Sequence, residues 1–519
     1  MITILVEISK YVLLFFMMMF TWGVYRALGA KDKETRSKRL RGQLVWMILF
    51  NFVAYLVLYI QTWDITMIVM YGAIALYIIL TQILYHVLYS RASFILLNVM
   101  SMLLSIGLVI QTRLGVTTAM RQLMIASAAT VISLFIPVFI RKVKGLQNIG
   151  MFFAILGILL IGAVFAFAKV YGGGKLSVEI GGITFQFSEF VKITFVFFIA
   201  GMLREVTDFR QVLKVTVLAG IHVVILVIST DLGAALIYFV AYMVMVCVAT
   251  HKLRYAFLGL GGMAAASYVA YKLFYHVQVR VQVWMDPFAD YQGTGYQIVQ
   301  ALFAVVAGGW FGTGLMQGSP ASIPLVKEDF TFAAICEEMG ILFAICLILL
   351  CMGLYLVIIN IAMKLNNQFY KLIAIGLGTE YAFQVFLTIG GTTKFIPMTG
   401  ITLPLISYGG SSVMCTIFML AIVQGLYVLR KDEGVEDEER QKATAGRQQQ
   451  AVNRTEQVQR PVDGSTKRIQ QPTDYRTKRI QQPLQNSKPG VQDNKSGAKS
   501  DPDDLEEKIR KATEESLYW

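Results

Sequence analysis

Apolar runs close to bilayer-spanning length, about 20 residues, recur along the chain from its first residues to Leu429. Thirteen are predicted as helices, at roughly 3–25, 43–61, 65–88, 94–111, 122–140, 149–168, 189–204, 212–230, 231–250, 255–275, 330–360, 371–391 and 405–429. Only Ser229, Thr230 and Asp231 divide the pair at 212–250, so a tight hairpin is expected there. No basic region precedes Ile4–Phe20, and no small-residue cleavage site follows before the next polar stretch. The first run therefore reads as a span rather than a cleaved leader.

Two of the polar connections stand out. Segment 276–329 is the longest and carries Trp284, Asp286, Asp290 and a run of glycines; connections of this length are usually functional or disordered. Segment 169–188 is shorter and Gly-rich. After Arg430 the pattern collapses into Gln, Lys, Arg, Asp and Glu, which cannot bury a core and is expected to be disordered. That tail repeats Thr-Lys-Arg-Ile-Gln-Gln-Pro at 466–472 and 477–483, two copies being too few for a solenoid.

Composition agrees with the pattern. Of 519 residues, 56% are hydrophobic and 15% charged, with a mean hydropathy of +0.59. An ordinary soluble chain carries about 25% charged residues, so a cytosolic enzyme is excluded. Five cysteines in apolar runs and four scattered histidines give neither a disulfide framework nor a zinc site. The net charge of +13 would ordinarily raise nucleic acid as a partner. Basic loops of a membrane protein account for it better, and nucleic acid is set aside.

Those charges also predict orientation. The connection from Arg26 to Arg41 holds seven basic residues against Asp32 and Glu34. Placing it in the cytoplasm puts the N-terminus outside. Alternation then assigns Arg91, Arg141, Lys142, Lys144, Arg204, Arg210, Lys214, Lys252, Arg254, Lys364, Lys371 and Arg430 to the cytoplasm, with the tail. The fold class is an all-α polytopic membrane protein with an extracytoplasmic N-terminus and a cytoplasmic C-terminus.

Ionisable residues within spans are costly and draw attention first. Glu337 and Glu338 fall just inside the span starting at Phe330; Glu380 lies mid-span, and Asp231 opens another. Glu189 and Lys192, three apart, share a helical face and are expected to pair with each other. In the long outer connection, Asp286 and Asp290 precede Gly293-Thr294-Gly295 and Gly308-Gly309-Trp310-Phe311-Gly312-Thr313-Gly314. Glycines allow close backbone approach and offer N–H groups to anions, but no βαβ context makes this a nucleotide fingerprint. A third cluster runs from Gly390 through Lys394, Pro397 and Gly400 to Ser407-Tyr408-Gly409-Gly410-Ser411-Ser412. Irregular backbone at a membrane face must be buried or line a cavity. Lys394 and Arg280 could there counter an anionic headgroup.

These strings resemble the SEDS family (shape, elongation, division and sporulation), the peptidoglycan polymerases related to FtsW and RodA. The likeness rests on Asp286 through Gln297, Gln300 and Gly308–Gly314; on Asp329-Phe330-Thr331-Phe332-Ala333 with Glu337-Glu338-Met339-Gly340; and on Pro397 through Ser412. Weaker matches are Arg121-Gln122, Gln186 with Ser188, Glu189 and Lys192, and Asp231-Leu232-Gly233. The resemblance implies a ten-helix core at 93–430, three additional N-terminal helices at 1–92, a large outer loop at 276–329 and the tail at 431–519. It also implies glycan polymerisation from lipid II at the outer face of the bacterial cytoplasmic membrane, in division or cell-shape control. A sugar 4-hydroxyl would displace polyprenyl pyrophosphate with inversion.

On that resemblance Asp290 is the general base, with Asp286 in reserve. Arg280 and Lys394, with a divalent cation as a further candidate, would serve the pyrophosphate. Lys175, Gln297, Gly309, Ser411 and Ser412 fall on substrate-binding positions. Glu189, Lys192, Asp231, Glu337 and Glu338 fall on supporting ones. The implied partners are a class B penicillin-binding transpeptidase and other division or elongation proteins. The chain departs from the family at Tyr291, Phe187 and Thr230, where proline is usual, and at Ser177, where tryptophan is usual. A lipid II flippase and a non-catalytic scaffold for the transpeptidase are the competing readings.

Overall fold

The structure, a computed structural model, describes residues 2–30, 32–167, 178–180, 183–205 and 208–432. Lys175 and Ser177 lie outside the described residues, as does the tail beyond 432. Three helices open the chain: α1 (Ile2–Leu28), α2 (Lys33–Thr62) and α3 (Thr66–Leu88). There follow α4 (Phe94–Leu114), α5 (Val116–Ser133), α6 (Ile136–Lys142) and α7 (Gly150–Phe167). A short antiparallel pair, β1 (Val178–Ile180) and β2 (Ile183–Phe185), registers Val178 against Phe185. Then come α8 (Phe187–Leu203), α9 (Phe209–Ile228), α10 (Leu232–Thr250), α11 (Arg254–Leu273), α12 (Tyr275–Met285), α13 (Tyr296–Gly308), α14 (Thr331–Met363) and α15 (Gln368–Thr392). The last, α16, covers Gly410–Asp432.

Within the described residues each of the thirteen predicted stretches is helical over most of its length, with a turn at 134–135, a break at Phe274 and the last helix starting only at Gly410. Ten helices, α5 and α6 counting as one, are long and apolar enough to cross a bilayer, and α11 with α12 forms a further pair bent by 104°. With ten or more such helices the protein is a multi-pass membrane protein.

Burial sorts the helices. Of the most apolar 18-residue window in α4, 94% is buried, so this helix is central; α11 has no buried residue and lies at the rim. α1 packs on α2 and α14, and α2 packs on α4. Tyrosine hydroxyls tie this N-terminal layer down: Tyr55 to Thr112 at 2.9 Å, Tyr77 to Thr130 at 2.9 Å and Tyr85 to Ser133 at 3.2 Å. Close packing and such bonds hold helices together in lipid, where hydrophobic burial drives little.

Two expectations need correction. Segment 276–329 is not a bare loop, for it contains most of α12 and all of α13. The run from Phe330 is also not one straight span. α14 has 33 residues, about 50 Å at 1.5 Å each, and is interrupted at Gly340, whose φ is 85° and ψ 168°. There the 309–314 strip pairs with it: Thr313 and Gly314 donate to the carbonyls of Glu337 and Glu338, while Ile341 and Leu342 donate to those of Gly309 and Trp310. Carbonyls that would have continued the helix are taken by the strip. Glu337 and Glu338 consequently belong to the buried segment ahead of the break at Gly340.

Candidate active site

The loops after α12, α13 and α15 meet at one end of the bundle. α12 grips the segment leaving α15: Trp284 Nε1 donates to the Lys394 carbonyl at 3.2 Å, and Arg280 Nη1 to the Thr399 carbonyl at 3.1 Å and that of Met398 at 3.4 Å. Lys394 returns a long bond from Nζ to the Met285 carbonyl, 3.4 Å. Arg280 and Lys394, far apart in sequence, thus bracket one loop.

Asp329, just before α14, completes this corner. A narrow cleft lined by Asp329, Thr388, Gly391, Thr392, Thr399 and Gly400 separates it from α15 and the loop. Gly400 adopts a φ of +73°, and a Cβ there would lie 3.8 Å from Asp329 Oδ2 and 3.9 Å from Arg280 Nη2. Carboxyl and guanidinium converge on that position. Burial raises the Asp329 carboxyl to about 6, with Glu328 pushing the same way and Arg280 opposing.

Asp290 stands in the opposite environment. It is exposed in the loop between α12 and α13, and its Oδ2 accepts from Thr294 N at 2.8 Å and Thr294 Oγ1 at 3.0 Å. These bonds hold its carboxyl below the usual range. Asp286 Oδ1 accepts from Phe288 N at 3.1 Å, closing the turn that follows α12. Gln297 is half-buried in the first turn of α13, and Gly309 ends that helix at a φ of +54°. Tyr291 is exposed, its hydroxyl accepting from Gln292.

Below the cleft runs a buried polar network. Asp231 caps α10 by accepting from Ala234 N at 3.1 Å and also accepts from Ser188 Oγ at 3.0 Å and Gln186 Nε2 at 3.2 Å. Gln186 N in turn donates to Ser411 Oγ at 3.0 Å. Lys192 Nζ pairs with Glu189 at 2.6 Å and donates to Gln384 Oε1 at 2.7 Å. Gln384 reaches the Thr402 carbonyl and Ser412 Oγ. Glu380 is fully buried within electrostatic reach of Lys192. Thr230 takes a φ of +65° at the entry to α10, which the family's usual proline, locked near −65°, could not adopt.

A second cluster holds the 313–319 segment. Arg113 Nε bridges to Glu338 Oε1 at 2.8 Å and Nη2 donates to the Gly318 carbonyl, while Glu337 Oε1 accepts from Ser319 N at 2.7 Å. Among the described residues no group of three or more His, Cys, Asp or Glu could hold a metal ion.

Sequence reasoning did not assign roles to Asp329, Thr399, Gln384, Trp284 or Arg113. Asp329 and Thr399 lie inside the recognised strings, so a signal existed. Their environments come from residues remote in the chain.

Comparison with known proteins fits this geometry. The profile of the FtsW/RodA/SpoVE family, described as cell cycle protein, matches residues 82–431. The protein named peptidoglycan glycosyltransferase RodA in Mycobacterium tuberculosis is 38% identical over 267 residues, covering 48% of this chain and 57% of that one. The chain thus spans little more than half the length of that relative. The Mycobacterium leprae protein of the same name is 31% identical over 355 residues, covering 63% and 76%. Stage V sporulation protein E of Bacillus subtilis is 33% identical over 279 residues, covering 52% and 74%. Two solved structures share the fold. One is a chain of a peptidoglycan synthase complex that coordinates polymerization and crosslinking (TM-score 0.56, 23% identity, 66% of this chain and 98% of that one). The other is a mutant of the rod shape determining protein RodA of Thermus thermophilus (TM-score 0.52, 20% identity, covering 65% and 98%). With about two thirds of its length matched by that profile, the chain belongs to the FtsW/RodA/SpoVE family.

Proposed function

We propose that the protein polymerises peptidoglycan glycan strands from lipid II at the outer face of the bacterial cytoplasmic membrane, in cell division or cell-shape control. The names of its relatives support the activity. The observation that carries the reading is the grip of Arg280 on the loop at Met398 and Thr399, beside the half-buried Asp329. It gathers a cation for a departing pyrophosphate and carboxylates for proton transfer at one end of the bundle. Asp290 takes the acceptor hydroxyl proton, as a carboxylate kept ionised by Thr294 can do. Arg280 and Lys394 stabilise the pyrophosphate charge that develops. Gln297, Gly309, Ser411 and Ser412 bind or shape the site around the sugars, and Lys175 joins them in binding substrate. Asp286 shapes the Asp290 loop, while Asp231, Glu189, Lys192, Glu337 and Glu338 support the frame.

In this reading residues 93–430 form the ten-helix core, and α1–α3 are an addition to it. A class B penicillin-binding transpeptidase is the partner, supported by the synthase complex that shares the fold. The test is lipid II polymerisation by the full chain with such a transpeptidase. Asp290→Asn is expected to lower the rate by at least about 100-fold at unchanged protein level. Normal strand synthesis by that variant would overturn the base assignment. Lipid II translocation insensitive to it would favour a flippase.

A further inference from the structure

The cleft beside α15 holds unused chemistry. Thr399 Oγ1 is buried there without a hydrogen-bond partner among the described residues. An unpaired buried hydroxyl is costly. It lines the same cleft as Asp329, and Asp329 Oδ2 and Arg280 Nη2 both face the open side of Gly400. Gly400 is exposed, and its missing side chain leaves that position open at the mouth of the narrow cleft. A guanidinium and a carboxyl beside one open position suit an anionic oxygen, provided the carboxyl is itself a donor.

Building on the polymerase reading, we propose that Asp329 is the general acid of the transfer, protonating the pyrophosphate that leaves the donor sugar while Arg280 holds it. The acceptor 4-hydroxyl oxygen forms a bond to the donor anomeric carbon. The bond from that carbon to the pyrophosphate oxygen breaks, and its electron pair stays on that oxygen, which takes the proton from Asp329. Asp290 takes the acceptor hydroxyl proton. The carboxylates finish with exchanged protonation, and proton exchange with solvent resets both without any co-reactant.

The electrostatics of the two carboxyls agree. Burial lifts Asp329 to about 6, so part of it carries a proton near neutrality, whereas Thr294 keeps Asp290 ionised. Environments that push two carboxyls apart assign acid and base. The charged groups acting on Asp329 are Arg280 from α12 and Glu328 on its own segment. The α15 and loop residues lining the cleft beside it are uncharged.

Two measurements on the purified full-length protein test this. The first is equilibrium binding of farnesyl pyrophosphate to wild type and Asp329→Asn at pH 5 and pH 8. Asparagine mimics the protonated acid, so the two should bind alike at pH 5. At pH 8 ionised Asp329 repels the ligand, and wild type should bind about tenfold more weakly than the variant. Comparison with the variant cancels the ligand's own titration; an affinity ratio equal at both pH values would overturn the proposal. The second is polymerisation with the transpeptidase present. Wild-type kcat should fall as pH rises above about 6, because the acid must be protonated. Asp329→Asn should lose that limb and about 100-fold in kcat with KM little changed, and Asp329→Glu should recover most of the loss. A variant with wild-type kcat and an intact alkaline limb also overturns the assignment. If wild type makes no strands at any pH, the polymerase reading fails, and the binding ratio alone decides whether Asp329 carries the proton for a bound pyrophosphate.

Discussion

At the scale of single residues, what matters is which charge answers which. Glu338 is almost fully buried, and its carboxylate meets Arg113 at 2.8 Å. Removing one partner of a buried pair leaves the other charge uncompensated, at a cost of about 3–5 kcal/mol. Glu338→Gln is therefore expected to lower the thermal unfolding midpoint of the detergent-purified protein clearly, and Arg113→Met to lower it similarly. A midpoint within a degree of wild type would show that the bridge holds nothing in place. Glu338 was conspicuous in the sequence because carboxylates are rare in apolar runs. Its partner was not, because Arg113 lies 225 residues away and nothing local marks it. The same limit applies to Asp329. Its identity is plain in the sequence, but the cleft that buries it is made by α15 and the loop beyond, with Arg280 of α12 opposing the shift.

Among elements, the decisive feature is the crossing of the 309–314 strip with α14. A Cβ on Gly340 would sit 2.3 Å from Gly312 N, and one on Gly312 would sit 2.3 Å from the Glu338 carbonyl oxygen. Both also adopt positive φ, +85° and +80°. Gly340→Ala therefore combines a backbone clash with about 1–3 kcal/mol of conformational strain. It should open the crossing, expose the 313–330 segment to limited proteolysis and lower the unfolding midpoint. Wild-type protease resistance would mean that the strip is held from elsewhere. Hydrophobic periodicity found every long helix, since an apolar run of about 20 residues has few other fates. It read the run at 330–360 as a single span because nothing local in an apolar run marks Gly340 as a break. It missed α12 and α13 as helices because short elements among glycines and charges lack a long apolar run. Element existence was legible where lipid dictates it, and less so where protein packing does.

For the whole molecule, charge and packing bear on the same question of orientation. Lys10, near the start of α1, donates to the Gly312 carbonyl, so this end of α1 stands level with the loops that form the candidate site. Asp432, at the far end of α16, pairs with Arg91 and Arg141, both at 2.8 Å, in a basic cluster away from those loops. The positive-inside rule puts such clusters in the cytoplasm, and it predicts the N-terminus and the candidate site on the outside. The prediction can be read with single cysteines in the added helices. Ile65→Cys, exposed in the turn between α2 and α3, should react with a membrane-impermeant maleimide in intact cells. Ser37→Cys, exposed in the basic lead of α2, should react only after the cells are opened. The five native cysteines are measured in the parent chain as background. Labelling in the reverse order would place the site in the cytoplasm, where no outer-face polymerase could use it, and would sink the orientation and the proposed function together. Net charge alone could have signalled a nucleic-acid surface. Set against where Arg91, Arg141 and Asp432 actually meet, it becomes an orientation that one labelling experiment can reverse.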